Sequence, residues 1–139
     1  MRTAVALALV VALGGSAALA LEAKQPKPNK PRLEVRAIPM MGMAPVEVLV
    51  MIDLKGGDEL EDFYCPEIEV LWDDGGKSSQ EPDCPPFEPG TQITRHFSVG
   101  HQYQRGGEFE VRVRLKRADR VVSSAHVRVS IRPPLGAGF

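Results

Sequence analysis

The sequence predicts an all-β fold, a two-sheet antiparallel sandwich of about seven strands. Three observations predict it. Apolar and polar residues alternate with period two in run after run between residues 33 and 132, no segment past the N-terminus sustains a helical stripe, and turn residues punctuate the runs. Strands of this kind have one apolar face each, so two sheets must bury their faces against one another.

The chain has 139 residues, and its first 20 stand apart. Arg2 supplies a positive start, "AVALALVVAL" (4–13) is uncharged and apolar, and Ala18-Leu19-Ala20 offers an A-x-A cleavage site. Residues 1–20 therefore read as a signal peptide, with a secreted or periplasmic destination. The rival reading is a retained anchor, since the 18 residues 4–21 carry no charge, but Gly14, Gly15 and Ser16 dilute them. Residues 21–32, with "EAKQPKPNKPR", form a Pro/Lys-rich linker of extended, polyproline-like character.

The domain is expected over residues 33–132. Leu33, Val35 and Ala37 alternate with Glu34 and Arg36 in a first strand. "VEVLVMIDL" (46–54) turns Val46, Val48, Val50 and Ile52 to one face and mixes Glu47 and Asp53 with Leu49 and Met51 on the other, a pattern that suits partial cover on both faces. "EIEVLW" (67–72) sends Ile68, Val70 and Trp72 one way and Glu67 and Glu69 the other. "QITRHFSV" (92–99) is a less regular strand. "EFEVRVRLK" (108–116) is the clearest, with Phe109, Val111, Val113 and Leu115 inward. "VVSSAHVRVSIR" (121–132) closes the domain, joined to its predecessor by the short link "KRADR" (116–120). Residues 133–139 have no pairing signal and read as a flexible tail.

Composition excludes some function classes. The chain has 17 Lys+Arg against 18 Asp+Glu, well mixed, which leaves no electrostatic footprint for nucleic acid or an anionic membrane surface. No membrane span remains once the leader is removed. Cys65 and Cys84 both fall in the exported part, where two thiols pair as a disulfide. Closing a loop of about 20 residues stabilises a fold by roughly 3 kcal/mol in the chain-entropy model.

Four segments, in order, resemble the PKD domain, an immunoglobulin-like sandwich of secreted and cell-surface proteins. "AIPMMGMAPVEVLVMID" (37–53) is similar to its opening, and "EVLWDDGG" (69–76) to its Trp-Asp-Phe-Gly-Asp-Gly strand end. "GHQYQRGGEFEVRVRL" (100–115) resembles its His-x-Tyr, Gly, aromatic and x-Val-x-Leu run, and "VVSSAHVRVSIR" its last strand. The chain departs from that pattern at the Trp motif, which lacks the Phe and the Gly-Asp-Gly order, and in its Cys-containing loop. The resemblance implies a PKD-like sandwich over 33–132, structural roles for Trp72, Asp73, Asp74, Gly75, His101, Tyr103, Gly107 and Phe109, and a non-catalytic module that binds a protein or glycan partner outside the cytoplasm.

The chemical candidates weigh against an enzyme. "DDGG" (73–76) lacks the alternating oxygen ligands of a calcium loop, and adjacent strand residues point to opposite sides. It reads as a hairpin tip, with a calcium site shared with Glu81 or Asp83 as the alternative. "MMGM" (40–43) with His96, His101 and His126 admits a copper reading, although Met also fills irregular gaps. No G-x-S-x-G, H-E-x-x-H or Walker loop occurs, which leaves a hydrolase as a second alternative only if its site is built from dispersed residues. No cofactor is expected. The outward residues Glu110, Arg112, Arg114, Lys116 and Arg128 form either a ligand surface or a solvated sheet face.

Overall fold

The computed structural model describes residues 14–15 and 29–136. Apart from Gly14 and Gly15, the predicted leader lies outside the described residues, as do 137–139 of the tail. Eight strands are found among the described residues: β1 (Arg32–Ile38), β2 (Met41–Met43), β3 (Val46–Lys55), β4 (Glu67–Leu71), β5 (Lys77–Gln80), β6 (His96–Tyr103), β7 (Gly107–Arg117) and β8 (Arg120–Arg132). They form a three-stranded sheet in the order β1-β3-β6 and a five-stranded sheet in the order β2-β8-β7-β4-β5. The two pack face to face as a sandwich.

Period-two patterning decides which side of each strand is buried. Val48, Val50 and Ile52 of β3 meet Val111, Val113 and Leu115 of β7 in a core completed by Ile68, Val70, Trp72 and Tyr103, all essentially without solvent contact. Burying each such side chain stabilises the fold by roughly 1.5–3 kcal/mol, so the match of inward faces outweighs any single surface pairing. At the β7–β8 hairpin Ala118 and Asp119 both have positive φ, 49° and 61°. That is the type I′ geometry whose twist suits two adjacent antiparallel strands.

The structure departs from the sequence reading in four places. The sheets are not wholly antiparallel, because β2 pairs parallel to β8, Met41 opposite Ser130 and Met43 opposite Arg132. "MMGM" is thus a short edge strand as well as a crossing between sheets, and Gly42 fits because a Cβ there would lie 3.2 Å from Val46. β5, too polar to show alternation, pairs with β4. β6 begins four residues later than the run 92–99 suggests. The reason lies in Ile93, whose N–H donates to Glu59 at 2.6 Å, and in Arg95, whose guanidinium binds the Gly56 carbonyl at 2.5 Å and Glu59 at 2.8 Å. The neighbouring loop 56–59 thus holds the Ile93 N–H and the Arg95 side chain, and of the main-chain groups of these two residues only the Arg95 carbonyl still meets β3, accepting the Leu54 N–H at 2.8 Å. Finally, the linker ends earlier than composition suggests. Asn29 exchanges hydrogen bonds with Asp58, and Pro31 is buried against Gly57.

Cys65 and Cys84 are bonded, with Cα atoms 6.1 Å apart. The bond ties the segment before β4 to the long crossing from β5 to β6. Tyr64 reinforces it by donating to the Pro85 carbonyl at 2.5 Å and packing on Phe87. Among the described residues no helix is long and apolar enough to cross a membrane.

Candidate functional site

The Trp motif and the His-x-Tyr motif, 25 or more residues apart in sequence, come together at one end of the sandwich. β4 delivers Trp72 into the core, where its main-chain N–H bonds the Gly76 carbonyl at 3.1 Å and closes the β4–β5 turn. Asp73 and Gly75 hold positive φ there, 64° and 91°, which Asp tolerates and Gly adopts freely. The indole N–H donates to Ser78 Oγ at 2.8 Å. Its ring lies flat on His101 of β6, 4.6 Å between centroids.

The two aspartates diverge to different sheets. Asp73 accepts the Glu110 N–H at 3.0 Å, staying within the five-stranded sheet. Asp74 reaches across, Oδ2 lying 2.7 Å from His101 Nε2 of the three-stranded sheet while Oδ1 accepts the Gly76 N–H at 2.8 Å. Burial pushes the Asp74 carboxyl upward, but the His101 and Gly76 hydrogen bonds outweigh it and hold it below the usual carboxylate range. Gly76 is required by this contact, because a Cβ would stand 2.8 Å from Asp74 Oδ1.

Tyr103 makes the second bridge between sheets. Its hydroxyl donates to the Trp72 carbonyl at 2.8 Å, and its ring stacks on Phe109 at 4.5 Å. Burial, with Asp74 and Asp73 adding, drives the phenol well above its ordinary value, so it stays a neutral donor. Gly107 lets Phe109 fold back, since a Cβ would meet that ring at 2.8 Å. All eight motif residues therefore gather at one end.

The chemistry of this cluster is cohesive. A His–Asp pair is half of a general-base arrangement, but a base needs a reacting group within reach. The hydroxyls of Tyr103 and Ser78 are both engaged with Trp72, and both cysteines are bonded.

The other candidates scatter. His96 lies on the outer face of the three-stranded sheet with Nδ1 2.5 Å from Asp53, and His126 faces out from β8 beside Arg112. Met41 and Met43 point outward from β2, far from either. Among the described residues no three His, Cys, Asp or Glu side chains converge as a metal site would require.

The outer face of the five-stranded sheet carries the residues flagged as a ligand surface. Glu69, on the face opposite Ile68, Val70 and Trp72 as its strand pattern predicts, is nevertheless only 3% exposed. Lys77 at 3.1 Å and Arg114 and Lys116 at 3.4 Å close over it. Burial raises its carboxyl, and the Lys77 and Lys116 hydrogen bonds more than reverse this. Asp53 plays the same part on the opposite face, lowered chiefly by His96 and covered by Arg36. The mixed outer face of 46–54 points to some cover over Asp53, but nothing in the pattern of 67–72 marks Glu69 as buried, since alternation gives only the side of the sheet. The cation run Arg112, Arg114 and Lys116, in register with Glu69 on β4, was the available signal.

No family model matches the sequence, and no curated protein matches it. A solved structure is similar: the PKD domain of an M14-like peptidase from Thermoplasmatales archaeon SCGC AB-540-F20. That likeness has a TM-score of 0.54 at 13% sequence identity, covering 76% of this chain and 99% of that one. The chain has the fold of a PKD domain.

Proposed function

We propose that this chain is a non-catalytic, exported interaction module that recognises a protein or carbohydrate partner outside the cytoplasm. The observation that carries this reading is the likeness to a PKD domain, together with the sequence resemblance that implies a binding module. Fold alone does not fix function, so the deployment of polar groups adds to it. Asp73, Asp74, His101 and Tyr103 all bind partners within the domain, leaving the motif end a clamp instead of a reaction centre.

Export is supported by the leader-like residues 1–20 and by a disulfide, which persists in oxidising compartments. The partner surface proposed is the outer face of the five-stranded sheet. There Arg112, Arg114, Lys77 and Arg128 extend further into solvent than the carboxylates of Glu69 and Glu110 beneath them.

Affinity capture from the native envelope or culture fluid, using the chain released by the cell, tests the reading. A retained protein or glycan, lost on Arg112→Glu with Arg128→Glu, both exposed and neither in contact with Glu69, while the melting curve is unchanged, is the expected result. Turnover in a hydrolase screen by the wild type, or capture unaffected by both substitutions, would refute it in its catalytic or its surface part respectively. N-terminal mass analysis should find the exported chain beginning near Leu21, and an intact Met1 there would favour an anchor.

A further inference from the structure

Three of the four sheet edges are guarded and one is open. Edge strands expose unpaired N–H and C=O groups, and proteins blunt them with charge, proline or brevity. β1 carries Arg32, Glu34 and Arg36 outward, β2 has three residues, and β5 has four with Lys77 among them. β6 runs for eight residues, HFSVGHQY, with no Lys, Arg, Asp, Glu or Pro. It pairs with β3 on one side, and among the described residues no strand pairs with the other.

We propose that the free edge of β6 pairs antiparallel with β6 of a second copy of this chain, joining two three-stranded sheets into one of six strands. The chemistry of an open edge selects an extended backbone as occupant. Edges that select foreign peptides add pockets for alternate side chains beside the strand. Five well-formed surface depressions are lined by residues of β4, β7, β8 and the loops between strands, and none of the five takes a residue from β6. On its outer side β6 offers only His96, Ser98, Gly100 and Gln102, all small or uncharged apart from the histidine.

Self-pairing also meets no like-charge opposition. β6 has no Lys, Arg, Asp or Glu to oppose its own copy, and His96 and His101 are each turned to a carboxylate of their own molecule, Asp53 and Asp74. Registers with Val99 or Gly100 on the two-fold axis keep inward residues inward, as face alternation requires. With Val99 on the axis, the half-buried Phe97 gains His101 of the other copy as its cross-strand neighbour. An isologous two-fold contact of this kind is the commonest form of assembly. The contact is separate from the partner surface proposed above, which lies on the other sheet.

Sedimentation of the protein over a micromolar to sub-millimolar range tests this, with Ser98→Lys/Gln102→Lys on the exposed side of β6 and Ser124→Lys on β8 as control. The wild type and the control should show a concentration-dependent dimer, and the double variant a dissociation constant raised about tenfold or more at an unchanged melting temperature. Amide exchange should slow in β6 as concentration rises. A wild type that stays monomeric throughout overturns the proposal, as does a dimer that survives the double variant or one in which β6 amides gain no protection. Binding of a foreign strand by a chain that never dimerises also overturns it.

Discussion

Trp72 is the side chain on which most of the motif contacts converge: the His101 face, the Ser78 hydroxyl and, through its carbonyl, Tyr103. Trp72→Ala should therefore cost about 3–5 kcal/mol, the range for emptying an aromatic core site. Asp74 is more than a turn residue. Its carboxylate is mostly buried and bonded to another sheet, so Asp74→Ala should cost about 1.5–3 kcal/mol, with no change on adding calcium or chelator. Urea midpoints for wild type and variant, with and without the ion, check both numbers. A calcium-dependent rise in wild type, abolished in Asp74→Ala, would mean the aspartates hold an ion. The same carboxyl makes a pH prediction. Its folded pKa is depressed, so its stabilisation is complete above the unfolded value of about 4 and drains away as pH falls through the lower folded value. Asp74→Asn should flatten the acid limb of the midpoint-versus-pH curve while leaving the neutral limb parallel to wild type.

The disulfide sets the behaviour of an element, the long crossing from β5 to β6. This crossing contributes little to the core beyond Ile93, and Tyr64, Phe87, Arg95 and the Cys65–Cys84 bond fasten it. Cys84→Ser should lower stability by about 2–4 kcal/mol while the sandwich keeps its far-ultraviolet spectrum. Peptide mapping that finds both thiols alkylated without reductant would remove the premise. Strands with a strict inside and outside were legible: β7 and β8 follow from Phe109 to Ile131 almost residue by residue. The elements missed lack that contrast. β2 is too short to alternate, β5 is polar on both sides, and the start of β6 is decided by where Arg95 and Ile93 bind, a tertiary fact. At the motif end, identity of the residues was readable but not their pairing. Nothing local tells Asp74 to reach His101 while Asp73 turns back to Glu110.

At the scale of the whole molecule, the two sheets are joined by their core and by the Asp74–His101 and Tyr103–Trp72 bridges at one end. A further link is the route of the first strands, since β1 belongs to one sheet and β2 to the other. β1 enters at the end marked by Arg32 opposite Lys55, and its Ile38 end lies by β2, alongside Ser130–Arg132 of β8. The chain thus enters the sandwich at one end and β8 leaves at the other, with β2 and β8 side by side in the same direction. If the ends are drawn apart, β2 and β8 slide along their length in opposite senses. The Ser130–Met40 and Ala44–Arg132 hydrogen bonds, 2.8 and 2.9 Å, then lie across the pull and must rupture together instead of peeling one by one. Single-molecule stretching from the two termini should meet one sharp resistance early in extension. Ala44→Pro, which deletes the donor to Arg132, should lower that rupture force. A three-residue strand too short to be read from its own sequence would thereby govern how the domain resists being stretched from its two ends.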